Sequence, residues 1–334
     1  MKLAQKIITA GLLASGLMMA AATAHAGTVL INAAGTVAIG INDDGSLNTS
    51  TNTVAVNASA TGVSFKFPDG SFYDATAPGC LCEGWGVSVN GTTSGSANVN
   101  FGAPVNLSFG ALSGVTGTTA TSITSLTSLP GITVTQAYAP STSAPGALFR
   151  VHVTIANTTG ATVTDLKYVR VMDWDVPPTT FSELVTIRGV ATTTLLEESG
   201  DNGFNSSDPL AGYSNFDPAC LNQDCVDSGP ADHGAYFRFN FGSLANGASF
   251  EFDIFYGAAG SEAAAIAAIT AEGIELYSLG QQSGDALGGT PATYIFGFSG
   301  VGGRAVFPTP EPASLALMGL GLAGLAVARR RKSA

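Results

Sequence analysis

The chain has 334 residues, of which 45% are hydrophobic and only 11% charged, with 42 glycines. It is long enough to bury a sizeable core and too apolar for wholesale disorder. A net charge of −11 argues against a nucleic-acid partner, which needs a basic face to neutralise phosphate.

The charge is unevenly placed. Lys2 and Lys6 lie near one end, and Arg329, Arg330, Arg331 and Lys332 near the other. Between them stand seven basic and 24 acidic residues, a net −17. Met1 to Ala26 reads as a secretory signal peptide. Lys2 and Lys6 supply its charged start, and Ile7 to Ala22 its apolar run. Ala24-His25-Ala26 is a small-x-small site that puts cleavage between Ala26 and Gly27. The apolar run is short for a full membrane span.

The body, from residue 27 to about 306, is written in strand grammar. Val54-Ala-Val-Asn, Val63-Ser-Phe-Lys-Phe, Val87-Ser-Val-Asn and Val105-Asn-Leu-Ser-Phe alternate apolar and polar residues. So do Val151-His-Val-Thr-Ile, Phe237-Arg-Phe-Asn-Phe, Phe250-Glu-Phe-Asp-Ile-Phe and Tyr294-Ile-Phe-Gly-Phe. Period two with β-branched and aromatic residues indicates half-buried strands. Turn residues punctuate them at Asp43-Asp-Gly45, Pro68-Asp-Gly70, Asn90-Gly91, Asn157 to Gly160 and Asn246-Gly247. The pattern predicts an all-β, antiparallel β-sandwich, with sandwich regions at 27–140 and 145–306 that form either one large or two consecutive domains. The Ser/Thr/Gly/Pro-rich stretch from Thr116 to Pro145 reads as a linker or long loop. Within it, Thr121-Ser, Thr124-Ser and Thr127-Ser repeat every three residues, too few copies for a water-ordering threonine array. One short helix is expected at 262–272, with Ser261 as N-cap, Glu262 in its first turn and Gly273 ending it.

Candidate chemistry is sparse. Cys80, Cys82, Cys220 and Cys225 are an even set in a chain expected to be exported, which favours disulfides. Pairing can be local or can cross between the halves, and two close pairs can also bind zinc. Asp173-Trp174-Asp175 is the most conspicuous charged motif. On a strand its two aspartates face one way and Trp174 the other. Three readings stand: ion pairs with Lys167, Arg170 or Arg188; calcium ligation, with Glu183 or Asp232 completing the set; or the carboxylate pair of a glycoside hydrolase. Asn42-Asp-Asp-Gly-Ser-Leu-Asn48 resembles half a calcium loop but lacks the full spacing and the final Glu. His152 and His233 lack any Gly-x-Ser-x-Gly elbow. No phosphate loop or dinucleotide fingerprint is present.

The tail has three parts in order: Pro310-Glu311-Pro312, an uncharged apolar run from Ala313 to Ala328, and the Arg329-Arg330-Arg331 cluster. As a helix the run spans about 24 Å, just under a hydrocarbon core. The cluster sets the orientation, with tail in the cytoplasm and body outside. Proline keeps the preceding segment extended. This tail, residues 308–334, resembles the PEP-CTERM sorting signal of exported bacterial proteins, a tail also labelled the ice-binding protein C-terminal domain. The resemblance implies capture at the inner membrane by an exosortase, a membrane cysteine transpeptidase, followed by removal of the tail. It also implies a host that makes extracellular polysaccharide. The segments Leu166–Arg188 and Phe255–Glu262 are similar to stretches of uncharacterised secreted bacterial proteins. The expectation is a non-enzymatic, exported protein of the cell envelope or extracellular matrix, structural or adhesive, in contact with polysaccharide. The alternatives are a carbohydrate-active hydrolase and a calcium-stabilised carbohydrate-binding module.

Overall fold

Residues 27–284 and 292–306 are described by a computed structural model. The expected signal peptide 1–26, the expected helix 313–328, and the sorting residues Pro310, Glu311, Pro312, Arg329, Arg330 and Arg331 lie outside the described residues. In chain order the first strands are β1 (Thr28–Ile31), β2 (Val37–Ile41), β3 (Val63–Lys66), β4 (Phe72–Asp74), β5 (Gly84–Val89) and β6 (Thr93–Asn98). Then come β7 (Leu107–Phe109), β8 (Ala120–Leu126), β9 (Leu129–Pro140), β10 (Leu148–Asn157), β11 (Val163–Trp174) and β12 (Glu183–Arg188). The last group is β13 (Leu196–Gly200), β14 (Cys225–Ala231), β15 (His233–Leu244), β16 (Ser249–Ala259), helix α1 (Glu262–Glu272), β17 (Leu276–Gln282) and β18 (Thr293–Ser299).

The strands form three antiparallel sheets. Their orders are β1-β2-β3-β4, β14-β12-β17-β18-β16-β10-β9-β8-β7 and β13-β15-β11-β5-β6. The two larger sheets meet face to face through aromatic rings. Phe239 of the five-stranded sheet lies 4.9 Å from Phe298 of the nine-stranded sheet, and Tyr168 lies 5.0 Å from Phe252. β5 and β6 of the first expected region sit beside β11 of the second, and β7, β8 and β9 extend the sheet of β10. Regions 27–140 and 145–306 therefore share both large sheets.

Most expected strands appear in place, and two expectations are corrected. Val54–Asn57 is not a strand; it contributes only an isolated bridge from Ala55 to Phe72. The stretch 116–145 is not a linker, because it holds all of β8 and β9. Ala120, Ser122, Thr124 and Leu126 form the inward face of β8, and its two polar residues hide the period. Ser122 and Thr124 are buried, and their hydroxyls donate to the carbonyls of Asp43 and Val134. The Thr-Ser triplets have period three on a strand of period two, so Thr121 and Thr124 face opposite ways and form no array.

The helix forms as expected. Ser261 Oγ accepts the Ala264 N–H, and Gly273 closes the helix at φ 66°. Ala265, Ala268 and Ile269 pack on the outer face of the nine-stranded sheet, against Phe255, Leu279 and Ile295. The chain after β18 is laced down. Glu275 Oε2 accepts the N–H groups of Val301 and Gly303, and the Val306 N–H donates to the Ile274 carbonyl. The Thr194 N–H and hydroxyl both donate to the Gly302 carbonyl.

A polar network fills the middle of the sandwich. Arg170 of β11 is fully buried and pairs through Nε with Glu83, which is also fully buried. Its Nη1 donates to Gln136 of β9 at 2.7 Å, its Nη2 to the Gly45 carbonyl at 3.1 Å, and its guanidinium lies 5.4 Å from the Tyr256 ring of β16. Glu83 Oε2 accepts the Leu47 N–H, and Tyr138 donates to the Gly45 carbonyl. Gly45 has φ 80°, and a Cβ there would lie 2.3 Å from Gln136 Nε2, so only glycine fits. Burial opposes the charge on Arg170, but Glu83 outweighs it and keeps the guanidinium protonated.

Two outcomes follow. Arg170→Met leaves Glu83 buried without its counter-charge and costs about 3–5 kcal/mol in urea denaturation, while adding Glu83→Gln recovers part of that loss. Cys80–Cys82 and Cys220–Cys225 are disulfides, the local pairing among those open from the sequence. Thiol labelling of denatured, unreduced protein therefore detects no free thiol, and four labels appear after reduction.

Candidate functional site

Among the described residues the structure concentrates carboxylates at one seam. β11 belongs to the five-stranded sheet and β12 to the nine-stranded sheet, so the chain crosses between sheets over residues 175–182. β14 and β15 make the reverse crossing, with Asp232 alone between them. The two crossings lie side by side, because Trp174 is opposite His233 and Glu183 is opposite Ala231. Asp173, Asp175 and Asp232 meet there, each offering a carboxylate oxygen within 4.8 Å of the others.

Trp174 explains the orientation. Its indole enters the core, donates to Ser278 Oγ at 3.0 Å and lies 6.4 Å from the Tyr294 ring. Asp173 and Asp175 are turned away from it, as strand alternation requires. Asp173 is 2% exposed and Asp175 0%, whereas Asp232 is exposed. Neither oxygen of Asp175 accepts a hydrogen bond, and Asp173 Oδ1 accepts none. Asp173 Oδ2 lies 3.3 Å from Cys80 Sγ, and a sulfur already in a disulfide has no proton to give. Glu183 flanks the group, with its oxygens accepting the N–H groups of His233 and Ser182.

The remaining wall is Phe181 and the Gly79–Cys80 backbone. A Cβ on Gly79 would meet the Phe181 ring at 2.5 Å and Asp175 Oδ1 at 3.6 Å. Phe181 holds φ 70°, which is rare for a bulky residue.

The expected ion pairs for Asp173 and Asp175 are not formed. Arg170 pairs with Glu83, Lys167 with Asp165 and Glu197, and Arg188 with Asp224. The reason is geometric: Arg170 is inward on β11, whereas Asp173 is outward, an odd number of residues away. Burial, then the neighbouring carboxylates Asp175, Asp232 and Glu183, push Asp173 up to about 10, with the Trp174 amide opposing. Burial, then Glu183, Asp232 and Asp74, push Asp175 up to about 8. Glu183 is also raised to about 8 by burial, against the His233 and Ser182 amides. Asp232 is raised by burial, with His233 opposing.

Other candidates resolve as structural. Asp44 Oδ1 accepts the Ser46 N–H and hydroxyl, and the Asn42–Asn48 turn presents Gly45 to Arg170; it is a core plug rather than a calcium loop. His233 Nδ1 lies 3.2 Å from Asp201 Oδ2, and its Nε2 lies 3.3 Å from the Glu183 carbonyl. His152 and Arg150 share Asp253 on β16. Sequence reasoning missed Asp201, which accepts the Phe216 and Asp217 N–H groups and orders the 201–217 loop, and it missed Phe181. No short motif marks either, since their partners come from tertiary packing.

The raised carboxyls give a pH dependence with a definite sign. They hold protons when folded that they shed when unfolded, so the stability they contribute is complete below pH 4 and is lost as pH rises towards 8. In chelator the melting midpoint falls from pH 5 to pH 8, and falls less in Asp175→Asn; equal slopes would contradict this account.

No helix among the described residues is long and apolar enough to cross a membrane. No curated protein and no solved structure matches the chain. Residues 308–332 match the model of the PEP-CTERM protein-sorting motif, which indicates export and exosortase sorting to the cell surface. The chain therefore carries a PEP-CTERM sorting motif behind an antiparallel, disulfide-containing β body.

Proposed function

We propose that this is a non-enzymatic structural or adhesive protein of the cell surface or extracellular (biofilm) matrix, which contacts extracellular polysaccharide after exosortase processing. The observation that carries the reading is the sorting motif at 308–332. Two local disulfides suit an oxidising, exported setting. The net negative charge keeps such a protein soluble and off nucleic acid.

The hydrolase alternative gains no support from the carboxylate pair. A glycosidase needs its acid and its nucleophile or base in contact with the sugar. Asp173 and Asp175 are 2% and 0% exposed, so neither carboxyl reaches a sugar laid on the surface.

The sorting claim is tested in the native host by changing Glu311 and Pro312 to Ala and following the protein by mass. The expected result is retention of the tail and of the protein at the inner membrane. Normal removal of the tail would refute the claim. In a separate assay, processed protein sediments with the host's extracellular polysaccharide and releases no reducing ends from it. Release that disappears in Asp175→Asn would reverse the assignment in favour of the hydrolase.

A further inference from the structure

The chain handles its buried carboxylates in two different ways. Asp74 is fully buried and fully served. Its Oδ2 accepts the Gly62 N–H at 2.7 Å and the Ser64 hydroxyl at 2.5 Å, and its Oδ1 accepts the N–H groups of Thr76 and Ala77. Glu83 has Arg170, the Leu47 N–H and Tyr256. Asp201 has two backbone N–H groups and His233. Asp175 is as buried as any of these and has no donor on either oxygen. Asp173, beside it, has none on Oδ1, and a disulfide sulfur with no proton to give lies near Oδ2. A buried carboxylate without a donor or counter-charge is among the costliest groups a fold can hold. Two of them, converging with Asp232, call for a positive charge between them.

We propose that Asp173, Asp175 and Asp232, with the buried Glu183 beside them, form a calcium site that fastens together the two adjacent crossovers of the sandwich. The donor set selects the ion. Every ligand is a hard carboxylate oxygen, which suits calcium or magnesium rather than a softer metal. The nearby sulfurs are locked in a disulfide, and His233 is engaged by Asp201 and the Glu183 carbonyl, so neither thiolate nor imidazole is available for zinc. Several direct carboxylates in an irregular arrangement favour calcium over magnesium, which keeps most of its water and demands octahedral regularity. Asp232 is exposed, so the site opens to solvent on that side and water completes the shell. An exported site of this kind works at a dissociation constant of about 0.1–1 mM, typical of extracellular modules.

The proposal does not depend on the sorting or matrix reading, and its test is separate. Exported protein is stripped with EDTA and desalted. Calcium is then titrated by calorimetry, and thermal melts are recorded in EDTA, in calcium and in magnesium. The expected result is one calcium per chain and a midpoint raised by about 5 °C or more at saturation, with a much smaller effect of magnesium. Asp175→Asn keeps the side-chain volume and puts a neutral amide in place of the ionisable carboxyl. It should melt in EDTA at or above the wild-type temperature and gain nothing from calcium. That crossing of the two curves separates a lost ligand from a damaged fold. The proposal is overturned if the wild-type protein binds no calcium stoichiometrically, if Asp175→Asn keeps the calcium response, or if zinc binds in preference.

Discussion

Among the described residues Arg170 is the one arginine or lysine buried at the centre of this sandwich, and the arrangement of the body follows from where it points. From β11 it reaches Glu83 ahead of β5, Gln136 on β9, Tyr256 on β16 and the carbonyl of Gly45 beyond β2. Those contacts come from both large sheets and from the turn that follows the four-stranded sheet's second strand. A guanidinium carries its donors in a rigid fork, so meeting these partners together fixes how far apart and in what register the sheets lie. Burying it with a single carboxylate gains little net stability, but misplacing either partner is heavily penalised. The pair therefore acts chiefly by excluding other arrangements. The cost of this choice falls at the carboxylate seam. The one arginine of β11 faces inward, leaving Asp173 and Asp175 on the opposite side with negative neighbours.

Much of the body was legible in the sequence. Strands with aromatic and β-branched alternation, such as β10, β15, β16 and β18, stood out because one face is strongly apolar. The helix was legible to its caps, since Ser261 and Gly273 act through their immediate neighbours. β8 was not legible, because its buried face carries Ser122 and Thr124, whose hydroxyls are satisfied by carbonyls distant in sequence or on the partner strand. Val54–Asn57 had the right alternation, but it meets β4 only at the single Ala55–Phe72 bridge. Period reports a face, and only tertiary pairing decides whether that face is used.

The site was half legible. That Asp173 and Asp175 share a face follows from strand geometry, and Glu183 and Asp232 were named with them. Their lack of a cationic partner was not readable, because it depends on Lys167, Arg170 and Arg188 each having nearer acids. Glu83 is 87 residues from Arg170 and has no local signature. Asp201 serves a loop whose course is set by packing against β15.

The lacing after β18 has a mechanical meaning for a protein handled by its tail. Any pull applied through the segment beyond residue 306 reaches the body first at Val306, Gly303 and Val301. These are held by Ile274, Glu275 and residues 194–195 rather than by a strand of their own. Glu275 precedes β17, and β17 and β18 are interior strands of the nine-stranded sheet. Tension is thus passed sideways into two neighbouring strands instead of peeling one from an edge.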